Sequence, residues 1–227
     1  SLRTGKLDQK KIAEALTGNQ LLYCRKDAEV RTRPFSVCIL NDESGSMSGS
    51  SGIENSDFKN RLEVQHSLTK ILYKSFSEIL PDDKIMIYGH TGNNSPVIHV
   101  YQDRYNPNFE STYDQQKNIS HSQNYDGPVI QKIYDTIRAQ TDSDILFIVI
   151  SDGQPAGNGY GNSSDILDLK RIIEKCRRDG FVTCGIGFQY GGVKNIYQYH
   201  VILNDLSTTV NAVSNLINNV VKQEFMS

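Results

Sequence analysis

Long apolar runs are missing from this sequence. The longest unbroken one, Ile145-Leu146-Phe147-Ile148-Val149-Ile150, falls far short of the ~20 residues that a membrane-spanning helix requires, so no membrane contact is expected. An excess of either charge is missing too. The 24 basic and 26 acidic residues leave a net charge of −2, whereas a dedicated nucleic-acid binder carries a marked basic surplus; no nucleic acid is expected as a partner. Cysteine motifs are absent. Cys24, Cys38, Cys176 and Cys184 form no CxxC pair and no zinc-like spacing. Cys38 and Cys184 fall inside apolar runs, as buried free thiols do, which fits a reducing compartment. No signal-peptide pattern opens the sequence, and a cytoplasmic location is the expectation.

Several enzyme signatures are lacking as well. There is no GxxxxGK[ST] phosphate loop, and Gly185, Gly187 and Gly191 make GxGxxxG rather than the dinucleotide fingerprint. The segment Gly45-Ser46-Met47-Ser48-Gly49 puts methionine where a nucleophile elbow needs serine. His66, His90, His99, His121 and His200 show no HExxH or paired metal spacing, and each reads as a packed or surface residue.

What the sequence does contain is an alternation of strand and helix patterns. Apolar stretches at 35–40, 85–88, 97–101, 145–150, 181–187 and 200–203 read as strands. Helical spacing of apolar residues runs over 57–80, 129–137, 166–176 and 206–220. The unbroken 145–150 run suits a strand buried on both faces of a parallel sheet. Lys175, Arg177 and Arg178 followed by Gly180 read as a helix C-terminus with its glycine cap. The turn at Gly92-Asn93-Asn94 makes one hairpin, hence one antiparallel edge strand, and Thr91 is assigned to that turn. The expected fold class is α/β: a doubly wound, mostly parallel sheet of about six strands with helices on both faces. Residues 35–227 form this domain and residues 1–34 an N-terminal arm, with Leu7, Ile12 and Leu16 suggesting a short helix. The stretch 102–123, rich in Tyr and Asn, shows no period and reads as a loop with short helical pieces.

Ligands of open α/β sheets bind in the loops after the carboxyl ends of the strands. Two such loops carry hard oxygen donors, Asn41-Asp42-Glu43-Ser44-Gly45-Ser46-Met47 and Ser151-Asp152-Gly153-Gln154-Pro155, and between them, at a helix start, stands Asn124-Tyr125-Asp126-Gly127-Pro128. Alternate residues of a tight loop can face one point, and Gly45 permits the bend. Carboxylates with hydroxyl and amide oxygens suit Mg²⁺ or Mn²⁺ better than zinc. Asp126 stands before Gly127-Pro128 and a helical run, so it reads equally as a helix N-cap.

At these residues the sequence resembles the von Willebrand factor A domain. Asp42-x-Ser44-x-Ser46, with Gly45 and Met47, looks like that family's metal-ion-dependent adhesion site, and Ser151-Asp152-Gly153 matches its distal aspartate loop. Gly5-Lys6-Leu7-Asp8 through Thr17-Gly18, Asn124-Tyr125-Asp126-Gly127, the 149–155 segment and Gly185-Ile186-Gly187 are similar to the C-terminal A domain of the cobaltochelatase accessory subunit. The departures are Asn124, where most A domains place threonine, and residues 1–34, which carry no acidic run of the kind expected ahead of the chelatase domain, so the chelatase role itself does not follow. The resemblance implies a non-catalytic, metal-dependent protein-binding module. Its metal ligands would be Asp42, Ser44 and Ser46, then Asn124 or Asp126, then Asp152. Glu43, Met47 and Tyr125 would meet the partner, a protein that lends a carboxylate to the metal, with an AAA+ ATPase as the expected class. The 102–123 stretch is expected to set partner identity, as exposed Tyr does at interfaces. Two alternatives use the same features: a metal-dependent phosphoryl or phosphodiester hydrolase built on the acidic cluster, and an extracellular adhesin.

Overall fold

The computed structural model describes residues 33–50, 53, 57–118, 121–153, 155–188 and 191–226, together with the pairs Lys6–Leu7 and Tyr23–Cys24. Those two pairs, β1 and β2, form a small antiparallel ladder in which Leu7 faces Tyr23. Leu7 is thus in a strand and not in the helix expected of it; Ile12 and Leu16 lie outside the described residues.

The main sheet is built from β3 (Phe35–Asp42), β4 (Ile85–Gly92), β5 (Pro96–Gln102), β6 (Asp144–Ser151), β7 (Phe181–Phe188) and β8 (Tyr199–Leu203). Its order is β5-β4-β3-β6-β7-β8. All neighbours are parallel except β4 and β5, which pair antiparallel at one edge. The chain leaves β3 toward β4 on one side and reaches β6 on the other. That reversal opens a crevice at the carboxyl ends of β3 and β6, the usual ligand position in such sheets.

Period-2 alternation decides which residue goes to which face. Val37 and Ile39 of β3, Ile85 and Ile87 of β4 and Leu146, Ile148 and Ile150 of β6 enter one core. There they meet Leu68, Leu72 and Phe76 of α1 (Arg61–Ser77) and Val213, Ile217 and Val220 of α5 (Leu206–Val220). Cys38, Leu40, Met86, Tyr88, Ile145, Phe147 and Val149 enter the other core. They pack on α3 (Asp126–Arg138) and α4 (Ser163–Arg178) through Val129, Ile133, Leu169, Ile173 and Cys176. Each such side chain, fully buried, contributes ~1.5–3 kcal/mol. Cys38, Cys176 and Cys184 are free and buried. Among the described residues no helix is long and apolar enough to cross a membrane.

Element ends differ from the periodicity in instructive ways. The helix expected from residue 57 begins at Arg61, because the Asn60 side chain accepts the Glu63 N–H at 2.9 Å and caps it there. Thr91 and Gly92, expected in a turn, belong to β4 and pair with Val97 and Pro96. Gly180, as expected, sits beyond α4 at φ 84°, a left-handed conformation that costs glycine nothing sterically. The 102–123 stretch forms α2 (Phe109–Thr112) and a 3-10 turn over Tyr113–Asn118. Phe109, Tyr113 and Gln116 within it are buried and anchor the segment on the domain, while residues such as Arg104, Asn108, Glu110 and Gln115 are exposed, as is Tyr105, at 74%.

Candidate metal-ion site

Parallel pairing sets the ends of β3, β4 and β6 side by side: Asp42 is in register with His90, and Asn41 with Ile150. Asp42, the last residue of β3, is completely buried. Its Oδ1 accepts the Ser44 N–H at 2.9 Å, and its Oδ2 accepts from Asn124 Nδ2 at 2.7 Å and Ser151 Oγ at 2.8 Å. One carboxylate therefore joins the ends of β3 and β6 to the loop that opens α3. Burial pushes the Asp42 carboxyl up to about 6; His90 pulls it down, while the carboxylates of Asp126 and Asp152 push it further up.

The first loop turns through a 3-10 segment, Gly45–Ser48. This brings Ser44 Oγ and Ser46 Oγ within 3.0 Å of each other; Ser44 is buried and Ser46 exposed, so the cluster reaches solvent on the Ser46 side. The backbone anchors the loop, with Gly45 N–H donating to Ser122 O at 2.5 Å and Glu43 N–H to His90 O at 2.8 Å. At the end of β4, Thr91 Oγ1 accepts the Ser122 N–H at 2.9 Å. Asn124 forms a short antiparallel bridge with Ala156, past the third loop.

Asn124 and Asp126 take different roles. Asn124 gives its amide N–H to Asp42 and accepts the Asp126 N–H on Oδ1 at 2.9 Å. That oxygen is already engaged by the opening of α3. Asp126 is not the N-cap; Tyr125 occupies that position, and its side chain makes no capping hydrogen bond. The Asp126 carboxylate is buried, with Oδ1 3.2 Å from His90 Nε2, close enough to pair but off the line of a hydrogen bond. Burial alone would lower the His90 pKa; the carboxylates of Asp126, Asp42 and Glu43 more than offset it and hold it above the usual imidazole range. Asp152 is buried in the third loop, its Oδ2 3.2 Å from Arg61 Nη1.

Three residues expected at the partner surface are buried instead. Glu43 is fully enclosed: Oε2 lies 2.6 Å from His99 Nδ1, and Oε1 accepts from Tyr101 Oη at 2.5 Å and Gln116 Nε2 at 2.9 Å. Met47 points into the core. The Tyr125 ring covers Gly157, where a Cβ would come within 2.4 Å of it, and its hydroxyl donates to Gln123 Oε1 at 2.7 Å. Period and motif do not tell which way a loop side chain turns, and here the apolar or hydrogen-bonding option lies inward.

The structure thus gathers Asp42, Ser44, Ser46 and Asn124 directly and sets Asp126 and Asp152 beside them. It adds His90, Ser151 and Arg61. Arg61 carried no sequence signal, because the expected helix began at residue 57 and only the cap at Asn60 puts Arg61 in the first turn. Among the described residues no three His, Cys, Asp or Glu side chains are placed to hold a metal ion; the candidate donors are carboxylate oxygens mixed with the hydroxyls of Ser44 and Ser46, a chemistry that suits a hard cation. The carboxylate oxygen of Asp126 that accepts no hydrogen bond is consistent with that fit.

No protein-family model matches the sequence, and no curated protein is similar to it in sequence. Solved structures are similar in fold. The conserved hypothetical protein BatB from Bacteroides thetaiotaomicron superposes with a TM-score of 0.58 at 15% identity, over 83% of this chain and 100% of that one. The vWF domain of the type V pili tip protein Mfa5 from Porphyromonas gingivalis gives 0.53 at 13%, over 84% and 97%. The SpRpn10 VWA domain gives 0.53 at 13%, over 83% and 94%. By these likenesses this chain has the fold of the von Willebrand factor A domain.

Proposed function

We propose that the chain is a non-catalytic protein-binding module whose contact with its partner depends on Mg²⁺ or Mn²⁺. The observation that supports this best is the Asp42 carboxylate, buried where three loops meet, with two serine hydroxyls 3.0 Å apart beside it. Asp42, Ser44 and Ser46 would hold the ion in the first loop and Asp152 in the third. In the second loop Asn124 or Asp126 would complete the set: Asn124 Oδ1 accepts the Asp126 N–H, and Asp126 Oδ1 lies 3.2 Å from His90 Nε2. A bound cation supplies charge neutralisation and an open position for an incoming carboxylate. The chain's own residues do the rest. Asn124 and Ser151 orient the Asp42 carboxylate, and Ser46 keeps the site open to solvent. By the resemblance to the cobaltochelatase accessory subunit, the partner is an AAA+ ATPase and the compartment the cytoplasm.

Calorimetric titration of Mn²⁺ into the chain tests this reading. Wild type is expected to bind at one site and Asp42→Ala at least about tenfold more weakly, since it removes both the charge and a first-loop oxygen. An ATPase that co-purifies with wild type in Mg²⁺ should be lost in EDTA. A wild-type chain that takes up no Mn²⁺ at millimolar concentration overturns the proposal.

A further inference from the structure

Arg61 is the first residue of α1, where a guanidinium faces the positive end of the helix dipole. Its Nη1 lies 3.2 Å from Asp152 Oδ2 and 3.2 Å from the backbone oxygen of Ser46. Both side chains are shielded, Arg61 to 11% and Asp152 to 1% exposure. A single nitrogen therefore ties the first loop to the third, and it does so on a carboxylate that the reading above assigns to the cation.

We infer that Arg61 is the resident cation of this site and competes with the divalent ion for Asp152. The inference rests on the metal-dependent reading above. Asp42, Asp126 and Asp152 are all buried where the loops meet, with His90 beside Asp126 and Arg61 beside Asp152; buried carboxylates without a metal need a positive charge beside them. Arg61 brings one that cannot be lost by deprotonation, and its tether through α1 keeps it close. A divalent ion must displace the guanidinium from Asp152 Oδ2 or share the carboxylate with it, and two cations at one carboxylate repel. Arg61 thereby sets the concentration at which the module switches to its metal-bound form. It is a positioning residue: without metal it holds the Ser46 and Asp152 loops together, and it weakens the cation's hold.

The test is Mn²⁺ titration of wild type, Arg61→Gln, Arg61→Lys and Asp42→Ala. Arg61→Gln is expected to bind about tenfold more tightly than wild type, and Arg61→Lys, which keeps the charge, to stay closer to wild type. In EDTA the thermal midpoint of Arg61→Gln should fall below that of wild type, and saturating Mn²⁺ should raise it by a larger increment. On wild type itself, the Arg61 side-chain Nε–Hε resonance should move on saturation with Mg²⁺. Equal or weaker Mn²⁺ binding by folded Arg61→Gln, or an unmoved resonance in a Mg²⁺-saturated chain, overturns the competition while leaving the metal site standing. Absence of Mn²⁺ binding in both wild type and Arg61→Gln overturns the metal-dependent reading and this inference with it.

Discussion

A buried carboxylate must find a donor for the charge it carries, and Glu43 finds three, in His99, Tyr101 and Gln116. The space for it comes from across the sheet: a Cβ on Gly89 would lie 2.2 Å from Glu43 Oε1. Gly89→Ala therefore forces the carboxylate off its donors. Hydrogen bonds to charged groups are worth about 1.5–3 kcal/mol each, and the variant is expected to lose about 2–4 kcal/mol in urea unfolding. Wild-type stability in Gly89→Ala would show that Glu43 has another place to go. The sequence resemblance put Glu43 at the partner surface. Its neighbours come from β5 and from the 113–118 turn, far along the chain, and only folding brings them together.

Helix ends show how much local chemistry decides without tertiary help. Asn162 caps α4 by accepting from the Ser164 and Asp165 N–H groups, and the Asp165 side chain returns to the Asn162 N–H at 3.1 Å. Asn162→Ala removes half of this box, and its midpoint in chemical denaturation is expected to drop by an amount equivalent to about 1 kcal/mol; an unchanged midpoint would mean that the box is redundant. The far end of the same helix, with Lys175, Arg177, Arg178 and Gly180, is legible for the same reason, since dipole and left-handed cap act within one turn. The region from 102 to 123 was less so. Its short helical pieces could be anticipated, but the burial of Phe109, Tyr113 and Gln116 depends on a surface provided by α1 and β5, as in the contacts of Tyr73 with Phe109 and Tyr101 with Tyr113.

At the scale of the whole molecule, β6 is the shared wall of both cores. Phe147 is 1% exposed on its α3–α4 face and meets Phe181 edge-on at 6.0 Å between ring centroids. Phe147→Ala leaves a cavity that the layers on either side cannot close, and a loss of about 3–5 kcal/mol is expected in equilibrium unfolding; a loss under about 1 kcal/mol would mean that the core repacks. The unbroken apolar run that contains Phe147 is the feature from which a central parallel strand follows. By itself the sequence determined the fold class, the alternation of elements and the three loops that carry Asp42, Ser44, Ser46, Asp126 and Asp152, because periodicity, caps and the order of strand-end loops are local properties of the chain. Only the tertiary structure decided that Glu43, Met47 and Tyr125 turn inward, that Asn124 donates to Asp42, that His90 pairs with Asp126 and that Arg61 lies on Asp152. Those contacts join residues up to 91 positions apart, and a side chain's direction at such a distance is set by which partner the packed sheet delivers, not by its neighbours in sequence.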